Sequence, residues 1–173
     1  MSRQPTEQPG ETLSTIEVGG ESIKFCAAHF TIFSSESRER LHGHNFRVRV
    51  AVTAPVGADG LAFNYRDIKL RIRALCEELD EYTLLPAASP HLSISDEGKY
   101  LNATFNGEQL YFLKADTKVL PIRNTTVEEL AAYLLSRLRA DEAFVNGRDL
   151  RRIDVGVSSG PGQWGSCTWE AGA

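Results

Sequence analysis

The sequence predicts an α+β domain, with an antiparallel sheet on one side and two helices packed on the other. Three observations lead there. Residues 42–52, "HGHNFRVRVAV", alternate: His42, His44, Phe46, Val48, Val50 and Val52 share one face, while Asn45, Arg47 and Arg49 take the other. Two later segments switch to helical spacing. Finally, "RRIDVGVSS" and "WGSCTWE" read as two further strands split by "GPGQ".

Each element follows in order. The polar opening reads as disordered over residues 1–12, and residues 13–173 as a single domain. "TIEVGGESIKFCAAHFTIF", residues 15–33, has strand composition interrupted by Gly19-Gly20, at a turn or a bulge. "SSESRER" is a charged loop that would join this strand to the alternating one as an antiparallel pair. From Tyr65 to Leu79, Ile68, Ile72, Leu75, Cys76 and Leu79 form a helical stripe. Thr126 followed by Glu129 is a capping-box signature, and Val127, Leu130, Ala131, Leu134 and Leu138 stripe the second helix. Residues 86–122 read as an insertion. Pro86 and Pro90 mark a loop there, and "YLNATFNGEQLYFLK" is a hairpin around Asn-Gly. The resulting four-stranded antiparallel sheet has edges that need partners, so a homo-oligomer joined edge to edge is expected.

Composition excludes several classes. With 173 residues, 42% hydrophobic and 24% charged, the chain suits a soluble globular domain. A net charge of −4 argues against nucleic acid as the main partner. There is neither an apolar run long enough for a membrane span nor the apolar core of a signal peptide. Cys26, Cys76 and Cys167 are odd in number and widely spaced, hence reduced thiols in a cytoplasmic protein.

The chemistry concentrates at "RLHGHNF". His42 and His44, two residues apart on a strand, project to the same face and can reach one ion. Zinc usually takes three protein ligands and keeps a fourth position open at a catalytic site. His29 is the natural third, because antiparallel pairing brings it opposite the HGH segment. Strand histidines can also be plain surface residues, and it is the third histidine that favours the metal. Parity puts Cys26 on the opposite face, as a core residue and not a ligand. Gly43 leaves room for close backbone approach or a bulge.

"FCAAHF" followed by "LHGHNFRVRV" resembles the 6-pyruvoyl-tetrahydropterin synthase family, including the 6-carboxy-tetrahydropterin synthases. "GLAFNYRDIK", "ELDEYTLL", "NTTVEELA" and "VSSGPGQW" resemble further family segments in the same order, so the likeness covers residues 15–170 apart from the insertion. The resemblance implies the tunnelling fold (T-fold), assembled through its sheets into a multimer, commonly a hexamer. It implies Zn2+ held by His29, His42 and His44, and a pterin substrate, usually 7,8-dihydroneopterin triphosphate.

Four positions depart from the family pattern. Arg38 stands where the family has its cysteine base, Glu81 where it has a histidine after Asp80, Ser159 where a glutamate grips the pterin, and Asn64 where it has an aspartate. Glu39, three residues before His42, resembles the glutamate that replaces the cysteine in one branch of the family, whose product is 6-hydroxymethyl-dihydropterin. On this reading Glu39, Asp80 and Glu81 are the catalytic candidates, although Glu39 could equally be one of the mutually paired charges of "ESRER". Arg38 is a candidate for substrate phosphate, beside Arg40, against the default of a solvated loop arginine. Ser159 and Gln163 could hydrogen-bond the heterocycle. His91 is either a substitute for the lost histidine or a surface residue. The expected activity is a zinc-dependent lyase that cleaves the side chain of dihydroneopterin or its phosphate. The rivals are 6-pyruvoyl- or 6-carboxy-tetrahydropterin formation and a non-catalytic binding paralogue.

Overall fold

A computed structural model describes residues 11–172. The disorder expected for residues 1–12 therefore falls mostly outside the described residues.

The sheet is built on one long strand, β3 (His42–Pro55), whose alternation buries Phe46, Val48, Val50, Val52 and Ala54. Two segments pair antiparallel along one edge of it: β1 (Leu13–Val18) against its far half and β2 (Lys24–His29) against its start. Between them Gly19 and Gly20 let the chain bulge. Six steps from Val18 to Lys24 face three from Val50 to Arg47, and Gly20 sits at φ +115°, where a side chain would be strained. The other edge of β3 pairs with β9 (Arg152–Gly160), and β9 with β10 (Gln163–Glu170).

Helix α1 (Tyr65–Glu77) and helix α2 (Val127–Ala140) cover the apolar face. Ile68, Ile72 and Cys76 of α1 and Leu130, Ala131, Leu134, Leu135 and Leu138 of α2 are buried there, each large side chain contributing about 1.5–3 kcal/mol. Asn64 caps α1, its side chain accepting the Arg66 N–H at 3.1 Å. Thr126 caps α2 through the Glu129 N–H, but Glu129 does not close the box. Its carboxylate turns instead to the backbone and guanidinium of Arg123. Gly165 lets β10 pass the start of α2, since a Cβ there would lie 2.8 Å from Val127 Cγ2.

The structure corrects three expectations. The sheet is mixed, not four-stranded and antiparallel: β4 (Tyr82–Pro86) pairs parallel with β2, and β8 (Thr117–Leu120) parallel with β4. The insertion is more than a hairpin. A three-stranded antiparallel sheet forms from β5 (Ser93–Glu97), β6 (Tyr100–Phe105) and β7 (Glu108–Leu113). Its Asn106-Gly107 turn has positive φ at both residues, as a tight hairpin requires. Cys26 does lie on the face away from the helices, but that face is open and the thiol is exposed.

A second, smaller core of Phe30, Ile32, Leu85, Leu92, Ala103 and Phe105 joins the inserted sheet to the chain leaving β2. Among the described residues no helix is long and apolar enough to cross a membrane.

Candidate metal centre

The end of the β2–β3 pair places the three histidines together. His29 stands directly opposite His42 and Ala27 opposite His44, so the inward parity of each strand delivers all three rings to one spot. One ligand nitrogen from each lies within 4.8 Å of the others. Stacked Phe25 and Phe46 form an apolar floor, with Phe46 edge-on to His29 and His44.

The hydrogen bonds prepare these rings to bind a cation. His29 Nδ1 donates to the Thr125 carbonyl at 2.9 Å, and His42 Nδ1 to the Arg40 carbonyl at 2.7 Å. That fixes the tautomer and makes each Nε2 the nitrogen that carries the lone pair. Among the described residues His29 Nε2 is buried without any partner, the kind of orphan atom a metal would satisfy. His42 Nε2 and His44 Nε2 lie 3.1 Å apart, close to the separation of about 3.3 Å between two nitrogens on tetrahedral zinc. The three residues fit a metal ion.

Burial, followed by the neighbouring His42, pulls His29 from the usual 6.5 down to about 4. The ring is thus neutral at physiological pH, as a ligand must be. The unfolded chain takes up this proton near pH 6.5 and the folded chain only near pH 4, so stability falls as pH drops through that window. Urea unfolding of metal-free protein should show a loss of about 2 kcal/mol between pH 7 and pH 5 from this residue. His29→Gln should flatten that dependence.

Among the described residues Glu39 is the one carboxylate that reaches the cluster, with Oε2 3.9 Å from His42 Nε2. It belongs to a small hairpin closed by an Ile32–Arg38 bridge. Its carboxylate accepts the Thr31 N–H at 2.9 Å while its own N–H donates to the Thr31 carbonyl at 2.8 Å. Burial pushes the Glu39 carboxyl up, but the Thr31 bonds and the nearby His42 and His29 outweigh it, and the net shift is downward. Glu39 is therefore ionised at neutral pH and held in a fixed orientation beside the histidines.

The other candidates lie elsewhere. Asp80 accepts the Cys26 N–H at 2.6 Å and Glu81 donates its N–H to the Cys26 carbonyl, so both bracket the backbone of β2. Among the described residues neither carboxylate bonds to the histidines. Glu81 also sits at φ +64°, strained for a side chain. Ser159 and Gln163 do meet, 3.1 Å apart, and Ser159 lines a depression of about 330 Å³ that reaches His44. His91 is exposed in a separate groove beside Phe33 and Arg123.

Arg38 is not free to meet a substrate phosphate. Its guanidinium is enclosed by the Phe30 and Phe105 rings and bonded to Glu108. Sequence reasoning missed the support from Thr125 and Asn124. Thr125 backs His29, while the Asn124 amide pairs with both backbone groups of Ile32. Their signal was present in "NTTVEELA", but a backbone carbonyl leaves no trace in residue type.

Residues 20–170 match the family model for 6-pyruvoyl tetrahydropterin synthase. A Methanocaldococcus jannaschii protein assigned provisionally as a 6-carboxy-5,6,7,8-tetrahydropterin synthase is 26% identical over 146 residues, covering 84% of this chain and 88% of that protein. The solved 6-pyruvoyltetrahydropterin synthase of Plasmodium vivax is 28% identical, covering 92% of this chain and 99% of its own, with a TM-score of 0.86. A variant of that enzyme with a catalytic glutamate replaced by alanine superposes equally well, at 27% identity, the same coverage and a TM-score of 0.86. The fold is the tunnelling fold, and the chain belongs to the 6-pyruvoyl tetrahydropterin synthase family.

Proposed function

We propose that the protein is a zinc-dependent pterin lyase that cleaves the side chain of 7,8-dihydroneopterin or its phosphate to 6-hydroxymethyl-dihydropterin. One observation carries this reading. The position of the family's cysteine base is filled by the enclosed Arg38, while the ionised Glu39 stands beside the histidines. The Plasmodium vivax relative, whose replaced catalytic residue is also a glutamate, supports the assignment.

His29, His42 and His44 would hold the ion. Zinc there supplies Lewis acidity toward the hydroxyls of the side chain. Glu39 takes the proton from the hydroxyl next to the breaking bond. The carbon–carbon bond then cleaves as that oxygen becomes a carbonyl, and its electron pair passes into the conjugated ring. Glu39 returns the proton to the carbon left on the pterin, so atoms and charge balance. Ser159 and Gln163 offer neutral hydrogen bonds to the heterocycle at the depression beside His44. Asp80 and Glu81 would join the chemistry only from the far side of β2. The free sheet edges at β8 and β10 suit assembly of several copies, and the free thiols suit the cytoplasm.

The test is product identity. The protein is incubated separately with 7,8-dihydroneopterin and with its triphosphate, and the products are identified by mass. 6-Hydroxymethyl-dihydropterin is expected. A 6-pyruvoyl or 6-carboxy product would assign the synthase reaction of the named relatives, and no turnover of either compound would favour a binding role.

A further inference from the structure

We propose that Arg38 and the inserted sheet β5–β7 form a clamp that positions Glu39, which makes Arg38 a positioning residue and the insertion part of the catalytic apparatus. This rests on the reading of Glu39 as the base.

Adjacent residues of an extended segment point to opposite faces, so Glu39 turns to the histidines and Arg38 away from them. On that far side the guanidinium lies 5.3 Å from the Phe30 ring centroid and 5.5 Å from that of Phe105. Nη2 donates to Glu108 Oε2 at 2.9 Å and Nη1 to the Glu39 carbonyl, also at 2.9 Å. The tight Asn106-Gly107 turn sets both Phe105 and Glu108 beside the guanidinium. Glu39 is thereby fixed at three points: its N–H by the Thr31 carbonyl, its carboxylate by the Thr31 N–H, and its carbonyl by Arg38.

Stability alone does not account for this arrangement. The Arg38 side chain is only 17% exposed, and among the described residues its Nε has no partner and its one carboxylate, Glu108, is 67% exposed. Burying a charge against so weak a counter-ion gains little, and an apolar side chain would fill the gap between the two rings at lower cost. What the guanidinium adds is direction. Its fork ties the backbone of the base to the inserted sheet.

The experiment compares Arg38→Met, Glu108→Gln and Glu39→Gln with the wild type in the zinc-loaded full chain. Arg38→Met should lower kcat about ten- to a hundredfold with KM and metal content unchanged. Glu108→Gln should lower it about two- to threefold. In the Glu39→Gln background Arg38→Met should cost nothing further, because it acts only through Glu39. Wild-type kcat in folded Arg38→Met, or a full additional loss in the double variant, overturns the proposal. If Arg38→Met fails to fold, unchanged kcat in Glu108→Gln overturns it. If the wild type turns over no dihydropterin, the functional reading fails, and hydrogen exchange at the Thr31 amide then decides the clamp. Exchange about tenfold faster in Arg38→Met, or measurably faster in Glu108→Gln, supports it, and unchanged exchange in both overturns it.

Discussion

Replacing His29 with alanine is expected to strip the protein of its metal. The wild type, purified without chelators and dialysed, should carry about one zinc per chain. His29→Ala should carry almost none, its affinity falling by more than about a hundredfold, since even losing the partner behind a ligand costs 10- to 100-fold. The expectation follows from position. His29 is the buried member of the set, with Nε2 unpartnered and the ring locked by the Thr125 carbonyl. The two remaining histidines share one strand and cannot enclose an ion from two sides. Metal analysis by plasma mass spectrometry provides the check. Wild-type protein without zinc would sink the metal assignment, and fully loaded His29→Ala would remove His29 from the ligand set.

Glu39→Gln should keep the metal and lose the reaction. The amide has nearly the shape of the carboxylate, and its oxygen can still accept the Thr31 N–H, but it cannot take a proton at neutral pH. A fall in kcat of about 10²–10⁴ is expected, with KM nearly unchanged and zinc content equal to wild type. This pattern separates a base from a ligand, because a ligand's loss would appear first in the metal analysis. Turnover at the wild-type rate would show that the proton goes elsewhere.

Local physics made much of this legible in the sequence. The alternation of 42–52 gave both the strand and the facing of its histidines, and parity on the neighbouring strand gave His29. The Asn-Gly turn and the Thr126 cap also follow from chemistry within a few residues. Strands β4 and β8 did not show. One contains Pro86 and the other is four residues long, and both exist because parallel pairing with distant chain holds them. Parity puts Cys26 on the right face but not in the right environment, since nothing local says whether the second face of a sheet is covered. Arg38 reads as a solvated or phosphate-binding loop charge because its partners, Phe105 and Glu108, lie some seventy residues away.

The two separate cores have a consequence for how the protein can fail. The ion would rest on strands anchored in the large core, whereas Glu39, the proposed base, sits on a hairpin propped by the small one. Damage to the insertion, by heat, proteolysis or an unfavourable substitution, would disarm the protein without emptying it. A fully loaded preparation could then be idle, and metal content would measure integrity of the scaffold but not competence for turnover.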